Sequence, residues 1–330
     1  MTRRQRERME RTHSPDVRAW YEGVLAGASA RRRSVDVRAG GQVHLLEKGA
    51  GPPLVLLHGS GVAAGFFLPL LEELEGVRAV APDRPGSGLS DAIDLPRRRY
   101  HETAVAWLDR LLDALELDTT TLLGHSAGGT LALRYALAHP DRVARLVLIG
   151  PPALPGTRCP LPYRLLATPG VGDLLARVPP SRKSVLQFAR FMGERETLSA
   201  HPDLIDLFLV AQRDPLAVAA TSAEVRVLVS PLALLSRSGW RRRSRVRPDE
   251  VGKLAVPTLL IWGEREPLGN AAVARAVTEL IPNARLQVLR GGHGPWLGQP
   301  GQTAAAIVDF VRGTDHHAAP LLAEKHFTRA

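Results

Sequence analysis

The sequence predicts an α/β fold: a mostly parallel central sheet flanked by helices and split by a helical insertion. Three observations carry this. Short apolar runs alternate with helically spaced stretches through residues 54–149. At Pro151-Pro152 that rhythm gives way to a long proline-punctuated stretch without a clear strand. After Pro248 it resumes and continues to Gly313.

Taken in order, residues 16–25 suit a short helix, and 34–38 and 43–47 suit a hairpin turned at Gly40-Gly41. Residues 54–57 and 77–81 are continuous apolar runs, as in strands buried on both faces. Over 101–115, Ala104, Leu108, Leu111, Leu112 and Leu115 fall on one helical face. A strand at 120–123, a helix at 130–138 and a strand at 143–149 follow. Within the insertion, 225–229 reads equally as strand or helix. The closing elements are a strand at 258–262, a helix at 271–280, a strand at 286–289 and a helix at 303–311. The chain thus divides into a basic N-terminal extension (1–33), a core (34–150 and 248–313), a helical cap (151–247) and a polar tail expected to be disordered (314–330).

Composition excludes several classes. With 45% hydrophobic and 23% charged residues the chain reads as a soluble globular enzyme. No stretch reaches the ~18 uninterrupted apolar residues of a membrane span. The basic start, 1–12, lacks the apolar segment of a secretory signal. Cys159 stands alone, so neither a disulfide framework nor a cysteine metal site is expected, and the cytoplasm is the expected compartment. The net charge of +10 is carried almost wholly by arginine, with lysine only at 48, 183, 253 and 325. The arginine clusters lack interleaved aromatics and any nucleic-acid-binding motif, so they read as a solvated surface.

Ligands of open α/β sheets bind beyond the carboxyl ends of the strands. There the sequence places Gly124-His125-Ser126-Ala127-Gly128, a G-x-S-x-G pattern directly between a strand and a helix. A serine raised on so tight a turn needs very small neighbours two residues away, which Gly124 and Gly128 supply. Ser126 is the expected nucleophile. His58-Gly59-Ser60-Gly61 closes an earlier strand, and the backbone N–H groups of Ser60 and Ala127 are the expected oxyanion donors. His293, in a glycine-rich loop after the last strand, is the expected base. Its orienting acid lies in Gly263-Glu264-Arg265-Glu266-Pro267; Glu266 is better placed, and Glu264 is the alternative. Asp83 is read as shaping its turn, His58 as supporting the oxyanion loop, and His125 as standing behind the site. No metal or other cofactor is expected.

With these motifs, and with Asp83-Arg84-Pro85-Gly86-Ser87-Gly88-Leu89-Ser90, the chain resembles the α/β-hydrolase superfamily over residues 34–313. It is most similar to the capped group of small-ester hydrolases, meta-cleavage-product (C–C bond) hydrolases and cofactor-free haloperoxidase-like enzymes. The resemblance implies an α/β-hydrolase fold, a Ser–acid–His triad and a cap over the pocket. That group usually has aspartate where this chain has Glu266. Ser126 in place of an aspartate nucleophile argues against epoxide hydrolase and haloalkane dehalogenase activity.

The expected reaction is hydrolysis of a small hydrophobic ester through an acyl-enzyme, with cap residues such as Tyr163, Phe188, Met192 and Phe208 supplying an apolar pocket. Two alternatives stand beside it. One is C–C bond hydrolysis of a diketone acid, with Arg190 and Arg195 as carboxylate ligands. The other is a non-catalytic receptor. The only expected partner is a small hydrophobic substrate.

Overall fold

A computed structural model describes residues 13–175 and 178–313; the basic run 1–12 and the tail 314–330 lie outside the described residues. Eight strands form one sheet: β1 (Arg31–Val37), β2 (Gly41–Lys48), β3 (Pro53–Leu57), β4 (Arg78–Pro82), β5 (Thr120–His125), β6 (Val143–Ile149), β7 (Thr258–Gly263) and β8 (Ala284–Leu289). Their spatial order is β1-β2-β4-β3-β5-β6-β7-β8. The first two strands pair antiparallel with each other, and β2 antiparallel with β4; all later pairings are parallel.

The apolar runs of β3, β5 and β7 are buried on both faces, and alternate residues feed two cores. Val55, Leu57, Leu122 and Leu260 pack with Trp107, Leu111 and Leu133 from the helices Tyr100–Ala114 and Ala127–Ala138. Leu54, Leu56, Leu123 and Ile261 pack on the other face, with Leu70, Ile307 and Phe310. Burial of this kind stabilises by roughly 1.5–3 kcal/mol per large side chain.

Between β6 and β7 the chain is helical over Leu161–Ala167, Val171–Leu175, Arg182–Phe191, Arg195–Ser199, Pro202–Arg213, Pro215–Leu228 and Pro248–Val251. The ambiguous stretch 225–229 resolves as the end of a helix. Asp214 caps that helix by accepting from Ala217 N, and Val229 makes a single bridge to Trp240. Near the N-terminus, the first strand begins at Arg31 rather than at 34. The lead-in holds a helix, Pro15–Leu25, whose Val17 and Tyr21 are buried in the core.

Candidate active site

Ser126 stands between β5 and the helix Ala127–Ala138 with φ 53° and ψ −124°. A non-glycine residue there stores on the order of 1–3 kcal/mol of strain. The turn is so tight that a Cβ on Gly128 would lie 2.1 Å from Leu57 O, and one on Gly124 2.5 Å from Gly128 O. The strain is held by the ladder: Ser126 N donates to Ile149 O at 2.9 Å.

The loop after β3 runs past this turn, with Gly59 so close that a Cβ on it would meet Ser126 Cβ at 3.0 Å. His58 fixes the loop. Its Nε2 accepts from Arg84 N at 2.9 Å, so Nδ1 carries the proton and donates to Gly59 O at 2.8 Å. Burial, then the nearby Arg84 charge, lowers the His58 pKa to about 4. Ala127 opens its helix, so its N–H has no intrahelical acceptor. Ser60, Ser126, Ala127 and His293 line one small cavity.

The loop after β8 carries His293, whose Nδ1–H points at both oxygens of Glu266, at 2.8 and 2.9 Å. Both residues are buried. Glu264 is exposed and bonds through its backbone N–H to Leu289 O at 2.9 Å, so of the two acids only Glu266 reaches the histidine. His125 Nε2–H donates to His293 O at 2.9 Å, and burial holds its pKa well below the ordinary value.

Asp83 accepts from Tyr21 Oη at 2.6 Å, His44 Nδ1 at 2.8 Å, Ala64 N at 2.7 Å and Leu89 N at 2.9 Å. It ties its turn to β2, to the loop after β3 and to the N-terminal helix.

A cavity of about 50 Å³ opens on Ser126 and His293, walled by Phe66, Tyr163, Phe188, Met192, Phe208 and Leu297. It adjoins a larger one of about 330 Å³ through the shared residues Ser60, Tyr163, Phe188 and Phe208. Phe191, Arg190 and Arg195 are exposed and line neither cavity, so the two expected carboxylate ligands are not at the site. Their short helices turn those positions outward and present Ala189 and Met192 inward.

Two buried carboxylates that contact the loops of the site, Glu224 and Glu194, were not found by sequence reasoning. Glu224 accepts from Arg84 at 2.7 and 3.0 Å, Tyr100 Oη at 2.9 Å and Ser60 Oγ at 2.5 Å. Glu194 lies under the loop of His293 and lines the smaller cavity. Neither has a motif around it: Glu194 sits among other charged residues, and Glu224 is the one acid of a largely apolar helix.

The sequence profile of the alpha/beta hydrolase fold matches residues 52–297, which spans both the serine turn and the histidine loop. The chain belongs to the alpha/beta hydrolase fold family. Among curated members of this hydrolase family, a pimeloyl-[acyl-carrier protein] methyl ester esterase of Aromatoleum aromaticum is 34% identical over 79% of this chain and 99% of its own. A 2-hydroxy-6-oxo-6-phenylhexa-2,4-dienoate hydrolase of Comamonas testosteroni is 28% identical over 82% and 91%. Among solved structures, naproxen esterase from Bacillus subtilis superposes with a TM-score of 0.64 at 20% identity, covering 90% of this chain and 98% of that one. That likeness is one of fold. Among the described residues no helix is long and apolar enough to cross a membrane.

Proposed function

We propose that this hydrolase cleaves a carboxylic ester with an apolar acyl group, using Ser126 as nucleophile, His293 as base and Glu266 as its orienting acid. The observation that carries the reading is the buried His293–Glu266 pair, whose histidine shares an apolar cavity with a serine on a strained turn. Ser126 Oγ attacks the acyl carbonyl carbon while His293 Nε2 takes its proton. The N–H groups of Ser60 and Ala127 stabilise the resulting oxyanion. The C–O bond to the alcohol breaks as His293 returns the proton to the leaving oxygen. Water, deprotonated by the same nitrogen, then releases the carboxylic acid and restores Ser126.

Glutamate serves in place of aspartate because its carboxylate meets Nδ1 with both oxygens, fixing the tautomer that leaves Nε2 free to accept. The methyl ester esterase relative supports an ester substrate. The dienoate hydrolase relative keeps C–C bond hydrolysis as the second reading, but among the described residues no arginine or lysine lines the cavity at Ser126, where a substrate carboxylate would need one. A cytoplasmic setting and a small hydrophobic ligand complete the reading.

A p-nitrophenyl ester series, run beside a diketone-acid panel and a fluorophosphonate label, tests it. Ester turnover with stoichiometric labelling is expected, and Ser126→Ala should lose both, with activity down on the order of 10³-fold or more. A folded wild-type protein that neither labels nor turns over esters is a receptor, and the proposal fails.

A further inference from the structure

Three consecutive backbone N–H groups of the histidine loop are all taken by the cap. His293 N donates to Met192 O at 2.9 Å. Gly292 N and Gly294 N both donate to one oxygen of Glu194, Oε1, at 2.6 and 3.1 Å. The other oxygen accepts from the Thr197 hydroxyl. Glycine permits the close approach: a Cβ on Gly292 would lie 2.1 Å from Met192 O, and one on Gly193 would lie 3.0 Å from Gly292 Cα and 2.8 Å from Arg265 O. Met192-Gly193-Glu194 therefore touches the loop of the base and the loop of its acid together.

A glycine-rich segment such as 291–294 has little conformational preference of its own. Glu266 fixes the imidazole at Nδ1 but holds nothing of the backbone that carries it. We propose that Glu194 is a positioning residue, which holds the backbone at 292 and 294 so that Nε2 of His293 meets Ser126 Oγ. This rests on the roles proposed above for Ser126 and His293. The cap then does more than cover the pocket, since its buried carboxylate completes the support of the base. Displacement of a reacting group by about 1 Å costs on the order of 10²-fold in rate.

The test compares Glu194→Gln, Glu194→Asp and Glu194→Ala, with ester turnover expressed per active site counted by fluorophosphonate titration. Gln keeps an oxygen at the Oε1 position and should retain kcat within about 5-fold. Asp is too short to reach both N–H groups, and should lose roughly 10-fold or more. Ala should lose on the order of 10²-fold in kcat with KM little changed, and amide exchange at Gly292 and Gly294 should quicken. Should Ala not fold, the Gln and Asp pair decides the matter. Full kcat per titrated site in Asp or Ala, even with a lowered melting temperature, overturns the proposal and leaves Glu194 a cap fastening only. A large loss in Gln with activity kept in Asp also overturns it, because charge rather than the reach of the hydrogen-bonding oxygen would then be at work. Wild-type protein that neither labels nor turns over ester fails the esterase reading itself, an outcome separate from any difference among the variants.

Discussion

Gly150 leaves the space that the Glu266 carboxylate occupies: a Cβ on it would lie 2.5 Å from Oε2 and 2.8 Å from Nδ1 of His293. Gly150 also has φ 51°, and it follows β6 just ahead of Pro151-Pro152. A glycine just past a central strand thus leaves the room in which Glu266 and His293 meet.

Gly150→Ala should therefore separate the pair, with kcat/KM falling on the order of 10²-fold on any accepted ester. Part of the damage is backbone strain, so the melting temperature should also drop. Wild-type kinetics in a folded Gly150→Ala protein would show that the contact between Glu266 and His293 is dispensable.

The acids themselves give a cleaner contrast. Glu266→Gln keeps the size of the side chain but removes the charge that stabilises protonated His293, and should cost on the order of 10²–10⁴-fold in kcat. Glu264→Gln should change kcat by less than a few-fold, since Glu264 is exposed and engages only through its backbone. Equal and small losses in both would remove Glu266 from the reaction.

These residues differ in how far the sequence disclosed them. Ser126 and Gly128 stood out because a tight turn demands small neighbours, and that demand is local. The buried strands were legible for the same reason: Leu54 and Val55 face opposite cores, so the run cannot alternate with polar residues. Choosing between Glu264 and Glu266 needed the loop to be folded, because both lie in one turn and only one reaches Nδ1. Glu194, Glu224 and Tyr21 had no local signature. Their partners lie far along the chain: Gly292 for Glu194, Arg84 for Glu224 and Asp83 for Tyr21. The stretch 225–229 stayed ambiguous because its valines suit a strand, and the Asp214 cap of the helix that ends there sits a dozen residues upstream.

Glu224 should show itself in stability against pH. Burial alone would raise its pKa, but the Arg84 charge and the hydrogen bonds from Arg84, Ser60 and Tyr100 outweigh that and hold it at about 2. A folded pKa below the unfolded value means stability fully present above the ordinary glutamate range and lost as pH falls toward 2. Glu224→Gln should lower stability near pH 7 by on the order of 3 kcal/mol, since it leaves the buried Arg84 without its counter-charge. The deficit relative to wild type should shrink between pH 4.5 and 2, the window set by the two pKa values. Denaturant melts of both proteins across that range measure it. A deficit constant with pH would mean that the Glu224 charge contributes nothing.

The cavities predict how activity varies with acyl length. The chamber at Ser126 holds about 50 Å³, too little for a long chain, but it adjoins one of about 330 Å³ past Tyr163, Phe188 and Phe208. An acyl group that outgrows the first chamber enters the second and buries each further methylene for about 0.8 kcal/mol. On p-nitrophenyl esters, kcat/KM should therefore rise with chain length from acetate and flatten once the second chamber is filled. Val218 lines that chamber and not the one at Ser126, on an exposed face of the helix Pro215–Leu228, so Val218→Trp should narrow the second chamber and leave the first unchanged. That variant should hydrolyse acetate at the wild-type rate and lose roughly 10-fold on the longest esters. Equal losses on short and long esters would point to a disturbed cap. No loss on either would place the acyl chain elsewhere, for example in the small cavity that joins Ala127 to Trp240.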